Sequence, residues 1–361
     1  MEQILRKADS PELFWEAWES CLEQTQAGPR YTRLNIEWGL DISQSRGLLV
    51  SDESFVYLND GKPAAAVLLP IEKKDEIVQI SWVGGFVYAP IFVDRSLMKK
   101  VYAQIDEIAK TAKAEKISFS IDPFFQEKIN YLQKYDYMDA SAINYLIDLS
   151  LPGDLLQHCR KGHRCDMKKI LHDPKTSLFC LEAADDALSH HLEYMEMHHR
   201  CSGRVTRPKS TFDKQYEQLQ NGEACLCGLK IDGRDAAYAY FQYKHDKAIY
   251  ASGADEPDFA GLPLYHALIY TAMNHLRDKG IKTVDPGQPS GPSMQFGYYP
   301  DAKQMNIALF KRGFGGEYSS NFRGTKYFTE RAFNADAETF RENYARHIRE
   351  KADKPALTNI N

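Results

Sequence analysis

The stretch NIALFKRGFGGE, residues 306–317, places two cations between two phenylalanines and follows them with glycines. It reads as a buried strand that ends in Phe310-Lys311-Arg312 and hands on to a Gly-rich turn. A lysine fixed there suits two tasks: its ammonium can oppose a developing negative charge, or it can hold a phosphate. A solvated lysine at a strand end is the plain alternative. Gly313, Gly315 and Gly316 let backbone approach a ligand, and serve an ordinary turn equally well. Arg312 and Arg323 are phosphate clamps by residue type, because a guanidinium grips phosphate with two hydrogen bonds. Ordinary surface arginines would look the same.

Other residues add chemistry elsewhere. Asp285 opens DPGQPSGPSMQFGYYP, a Gly, Pro and Ser-rich stretch that reads as a loop over a site. Gln288, Tyr298 and Tyr299 in it can bond a sugar or a peptide; a bare linker is the alternative. Upstream, Arg160, Arg164 and Lys168 recur at four-residue steps in LPGDLLQHCRKGHRCDMKKILHD, on another face from an apolar stripe of Leu156, Cys159, His163, Met167 and Ile170. Such a cationic face suits tRNA phosphates or the diphosphate of a nucleotide-linked ligand. A solvated face balanced by Asp185 and Asp186 would read the same. Arg200, Arg204, Arg207 and Lys209 form a second basic cluster. His190, His191, His198 and His199 match no metal-ligand spacing, so no metal site is expected.

The elements that carry these residues repeat. Residues 55–123 and 224–286 share one order: a strand closing on Asp-Gly, a second strand, a charged turn, a third strand ending in small residues, a helix, and a strand ending in Asp-Pro. The Asp-Gly pairs are Asp60-Gly61 and Asp232-Gly233, strong hairpin signals between apolar alternations. The helices carry stripes at helical spacing, Met98, Val101, Ile105, Ile108 and Ala112 in one copy, Leu264, Leu268, Ala272 and Leu276 in the other. Asp122-Pro123 and Asp285-Pro286 end the last strands. A strand-helix-strand crossover makes the flanking strands parallel, so each copy is a mixed sheet with helices against it.

The bulk numbers agree with two domains: 361 residues, 43% hydrophobic, 26% charged. Net charge is -5, so any contact with nucleic acid must be local. The opening MEQILRKADSPELFWEAWES has no apolar core, and no signal peptide is expected. Apolar runs such as 64–71 are too short to span a membrane. Seven cysteines without a CxxC pair read as reduced thiols in a cytoplasmic protein, with Cys225 and Cys227 as small core residues on one strand face.

Two such copies, a basic helix between them and the closing Phe310-Lys311-x-Gly313-Phe314-Gly315 resemble the FemABX-type transferases, tandem-duplicated members of the GNAT superfamily. The resemblance covers about residues 31–328 and rests mainly on the repeat. It implies an α/β fold of two GNAT-like domains with mixed sheets: 1–150, a basic connecting helix at 151–176, a second domain at 177–335 holding the cleft, and a C-terminal helix and frayed tail at 336–361. It implies an N-acyltransferase that moves an acyl or aminoacyl group onto an amine. It places Phe310 and Lys311 at the reaction centre. Lys311 then stabilises the oxyanion, and Asp285 orients or deprotonates the amine. The second copy is expected to hold the chemistry, and the interface between copies the acceptor.

The donor is the open question at this level. Acyl-CoA enzymes of the superfamily carry a Gln- or Arg-led glycine loop before the central helix, whose N–H groups hold pyrophosphate. The matching stretch is DFAGLPLYH, where Asp258 replaces the cation and Pro263 removes an N–H. Aminoacyl-tRNA and acyl-CoA both stay open as donors, with no tightly bound cofactor. The expected partner is a small-molecule or nucleotide-linked amine, with tRNA as a further candidate. An acetyl-CoA-dependent sugar or amine N-acetyltransferase and a non-catalytic binding module are the alternatives.

Overall fold

The computed structural model describes residues 2–287 and 300–352. Its strands form three sheets. A small antiparallel one joins Glu2–Arg6, Phe55–Asn59, Lys62–Val67 and Ile91–Phe92. The two larger sheets belong to the two copies, and their central pairings correspond. In the first, Ile77–Ile80 runs parallel to Lys116–Ser120; in the second, Lys247–Asp255 runs parallel to Thr283–Asp285. The helix Met98–Thr111 makes one crossover and Leu264–Asp278 the other, each burying the stripe that its spacing indicates. Both Asp-Gly turns have positive φ at both residues, 49° and 73° in one, 49° and 78° in the other. That is the primed turn whose twist matches a hairpin.

The large sheets also exchange strands. Met138–Asp139 pairs with Arg323–Tyr327 in the first sheet, whereas Ala142–Asp148 pairs with Glu317–Asn321 in the second. Each chain segment therefore crosses from one sheet to the other within a few residues. One core lies in the first copy, around Trp18, Phe55, Ile105 and Phe119. Two more cover opposite faces of the second large sheet, one around Phe241 and Leu268, one around Tyr194 and Tyr240.

Two expectations are corrected. Residues 306–312 are the end of a helix, Ala302–Arg312, and the strand comes later, at Glu317–Asn321. Asp301 and Gln304 form a reciprocal capping box that starts the helix: the Asp301 side chain accepts from Gln304 N at 2.7 Å, and Gln304 Oε1 accepts from Asp301 N at 2.9 Å. Ala, Gln, Met, Leu, Lys and Arg fill most of it, all good helix formers. The glycines then make the turn between helix and strand. A Cβ on Gly313 would sit 2.1 Å from His163 Nε2, and Gly315 and Gly316 have φ of +92° and +101°. They serve packing and turning. The second correction concerns the thiols: Cys180 and Cys227 are directly opposite in register on adjacent antiparallel strands and form a disulfide. Cys225 is buried on the same strand as a free thiol.

The terminal helix starts at Glu330 and runs to Ala352. The central basic segment contains the helix Lys161–Leu171, with His163, Met167 and Ile170 buried. No helix of the described residues is long and apolar enough to cross a membrane.

Candidate active site

Period-two alternation builds the floor of a cavity of about 800 Å³. On the strand Lys116–Ser120, Ile117 and Phe119 enter the first core, so Ser118 and Ser120 face the other way, into the cavity. Gln79, Asn321 and Thr325 continue this polar surface. Ser118 Oγ meets Thr325 Oγ1 at 3.1 Å, and Ser120 Oγ donates to Asn321 Oδ1 at 2.9 Å. Phe86 and Tyr88 add aromatic wall, and Asp336 and Thr339 of the terminal helix close one side. Both copies contribute, so the cavity lies between them.

The two Asp-Pro strand ends meet at one end of the cavity. Arg30, from the short 3-10 turn Pro29–Tyr31, donates through Nη1 to Asp122 Oδ1 at 3.1 Å and through Nη2 to Asp285 Oδ2 at 2.7 Å. Asp285 also accepts from Asn144 Nδ2 at 2.9 Å and from Gly287 N at 2.7 Å. Both carboxylates are about 1% exposed. Burial works against the Arg30 cation, but the two aspartates more than offset it and hold it protonated beyond an ordinary arginine. Burial pushes the Asp122 carboxyl up, against the pull of Arg30. Among the described residues Asp122 Oδ2 has no hydrogen-bond partner.

Lys311, in the last turn of its helix, is partly buried beside this cluster. Its Nζ lies 3.6 Å from the Cβ position of Gly287 and 5.0 Å from the Tyr250 ring centroid. Loss of water pulls its ammonium down to about 8, with Asp285 opposing the shift. Among the described residues it has no ion-pair partner within contact distance. Phe310 points away, into a ring cluster with His163, His266 and Phe314. His163 Nε2 contacts the Phe310 carbonyl at 2.8 Å, and burial holds that imidazole down to about 4. The neutral ring thus donates to the carbonyl and anchors the turn of helix that carries Lys311.

The other expected site residues scatter. Arg323 lines the cavity, its guanidinium 5.0 Å from the Phe86 ring centroid. Arg312 is exposed, 5.9 Å from the Tyr145 ring centroid, and does not line it. Arg160 is exposed and Arg164 half-buried, and both bond within their own segment: Arg160 meets His163 Nδ1 at 3.3 Å, and Arg164 donates to the Cys159 carbonyl at 2.7 Å. Lys168 is exposed, and none of these three borders the cavity. Gln288, Tyr298 and Tyr299 lie outside the described residues. The histidines of the helix Leu188–Ser202 serve the second copy's core, with His190 and His191 each 2.7 Å from a tyrosine hydroxyl, Tyr238 and Tyr240.

Sequence reading missed Arg30 and Asn144. Arg30 belongs to no periodic element, so pattern gave no handle on it. The hint was indirect: two equivalent Asp-Pro strand ends, once buried, each need a charged or hydrogen-bonding partner.

Residues 157–298 match the acetyltransferase (GNAT) domain family. No curated protein matches the chain in sequence. Among solved structures, FemX superposes with a TM-score of 0.59 at 15% identity, over 88% of this chain and 97% of FemX. The C-terminal domain (DUF2156) of an assigned lysylphosphatidylglycerol synthetase from Agrobacterium fabrum gives 0.62 at 14% identity, over 93% and 96%. A tandem GNAT protein from the clavulanic acid biosynthesis pathway gives 0.50 at 12% identity, over 91% and 98%. Residues 157–298 thus carry the GNAT-domain match, and along nearly its whole length the chain shares the fold of FemX and of the tandem GNAT protein.

Proposed function

We propose that the chain is an N-acyltransferase that moves an acyl or aminoacyl group onto an amine held in the cavity between its copies. The observation that carries this reading is a polar cavity lined by Asp285 and Gly287, with the Lys311 Nζ 3.6 Å from the Cβ position of Gly287 and within the electrostatic reach of Asp285. The acceptor nitrogen attacks the acyl carbon, the C–N bond forms, and the bond to the donor's oxygen or sulfur breaks. Asp285 orients the amine and takes its proton, directly or through water. The Lys311 ammonium opposes the oxyanion charge and can return a proton to the leaving group.

The donor loop supports an unconventional donor over acyl-CoA. Asp258 forms an ion pair with Arg234, and Pro263 occupies the N-cap of the helix Leu264–Asp278. A carboxylate and a missing N–H are poor partners for pyrophosphate. FemX and the lysylphosphatidylglycerol synthetase domain share the fold, which agrees with aminoacyl transfer. A non-catalytic module is the weaker reading, since Lys311 is partly buried behind Gly287 of the cavity wall rather than paired on the surface.

The test incubates purified protein separately with radiolabelled acetyl-CoA and with a pool of charged tRNA, and measures what a filter retains. Retention of charged tRNA, followed by label transfer to an added amine, supports aminoacyl transfer. Retention of acetyl-CoA alone moves the chain to the N-acetyltransferases. Retention of neither, with no transfer to any amine, sinks the enzyme reading.

A further inference from the structure

Arg30 lies in the first copy, yet its closest charge contact is with the strand-end carboxylate of the second. Its backbone is tied down on both sides. The Arg30 carbonyl accepts from Asn35 Nδ2 at 3.0 Å, and the Tyr31 carbonyl accepts from Trp18 Nε1 at 2.8 Å. Four residues earlier, the Gln26 carbonyl accepts from Lys247 Nζ at 3.0 Å, which docks this turn on the second copy's sheet. The guanidinium lies 5.3 Å from the Phe124 ring centroid, with its side chain 13% exposed. The charged and titratable groups around it are Asp122, Asp285 and Tyr88. Those influencing Lys311 are Asp285 by charge and Tyr250 by its ring.

Asp285 is thus shared. Arg30 and Asn144 hold Oδ2, and Gly287 N holds Oδ1. Three donors from three segments fix the plane of this carboxylate, and only Arg30 among them is charged. Without Arg30 the carboxylate keeps Asn144 and Gly287 but loses its charged donor, and Lys311 lies within its electrostatic reach. We propose that Arg30 is a positioning residue of the transferase site: the first copy contributes it to hold the Asp285 carboxylate in its working orientation. The second copy's site is then incomplete without the first. The inference rests on the N-acyltransferase reading, and its test is partly independent of it.

Arg30→Met leaves two buried carboxylates unpaired and risks misfolding. Arg30→Met/Asp122→Asn removes one charge of each sign and keeps the net charge of the cluster. The probe is acetic anhydride, in competitive labelling of lysines between about pH 6 and 11, read peptide by peptide by mass spectrometry. Lys311 should label with a midpoint near 8 in the unaltered chain. In the double variant the midpoint should rise by about one unit, as Asp285, without its charged donor, acts more strongly on Lys311. Lys116, paired with Asp336, should not move. A part that only staples the copies together would lower the melting temperature and leave the Lys311 midpoint in place, and that result overturns the proposal.

Turnover gives the second readout. With the donor and acceptor found above, the double variant should lose about 100-fold in kcat with KM within about threefold, as expected for a misplaced catalytic group. Arg30→Lys should recover part of the loss, because an ammonium reaches one carboxylate but not two. Loss of turnover in Lys311→Ala and Asp285→Asn with none in the Arg30 variants overturns this inference alone. Turnover untouched in all of them overturns the N-acyltransferase reading, while the labelling shift still decides the Arg30–Asp285 link.

Discussion

Lys311 carries its charge where the nearest carboxylate is already committed. Asp285 spends its oxygens on Arg30, Asn144 and Gly287, so Lys311 loses water without gaining a close partner. Its ammonium therefore titrates near 8 instead of the usual lysine range. If the ammonium is the working form, kcat should fall as pH rises through about 8. Lys311→Arg keeps its charge throughout that range and should abolish this alkaline limb. A limb that rises through the same pH would instead make neutral Lys311 the proton acceptor. Lys311→Ala should cost about 10²–10³-fold in kcat, the size seen when one oxyanion donor is removed, with the melting temperature nearly unchanged. Much of this was legible at the residue scale. Residue type, position and family resemblance singled out Lys311 and Asp285. Arg30 was not, because an isolated cation in a turn has no period and its partners lie far along the chain.

At the scale of elements, one helix decides where Lys311 goes. IALF in residues 307–310 is a short apolar run, and such runs do not separate strand from buried helix by pattern. The arbiter was upstream, in Asp301 and Gln304, whose spacing is that of a capping box. Asp301→Ala should lower stability by about 1 kcal/mol, measured by urea denaturation. The other end of the helix is held by a close approach. Gly313 admits the His163 ring, which a Cβ would meet at 2.1 Å, and the same ring meets the Phe310 carbonyl. Gly313→Ala should therefore cost about 1–3 kcal/mol, as overpacking does. Adding His163→Ala should return part of that loss, because the clash goes with the ring. If the two costs simply add, the ring and the glycine are not coupled and this account of the turn fails. The Cys180–Cys227 pair belongs to the same scale. Composition pointed to reduced thiols, but register decides which cysteines face each other, and register between strands 47 residues apart is not written locally.

The whole molecule is a duplication whose copies are sewn together. The repeated turns and Asp-Pro ends made the duplication legible, because each is a local signal that recurs. The strand exchange was not legible: Met138–Asp139 with Arg323–Tyr327, and Ala142–Asp148 with Glu317–Asn321, are pairings between distant segments. Their consequence is that neither copy keeps a complete sheet alone, so unfolding should be one cooperative transition. That transition should depend on pH in a window set by the interior histidines. His163, His191 and His198 are each held down to about 4, chiefly by burial. In the unfolded chain they titrate near 6.5. Between those values the unfolded chain binds protons that the folded chain refuses. Stability is then full above about 6.5 and is lost as pH falls toward about 4. Each histidine contributes at most about 1.4 kcal/mol per pH unit in that window. His191→Gln keeps a side chain able to bond the Tyr240 hydroxyl and removes one titrating group. His245 and His266 are held down by burial as well, so urea denaturation from pH 7 to 4.5 should show the variant's stability declining less steeply than that of the unaltered chain, by one histidine's share. An equal slope in both would mean that the acid sensitivity lies elsewhere, in the carboxylates.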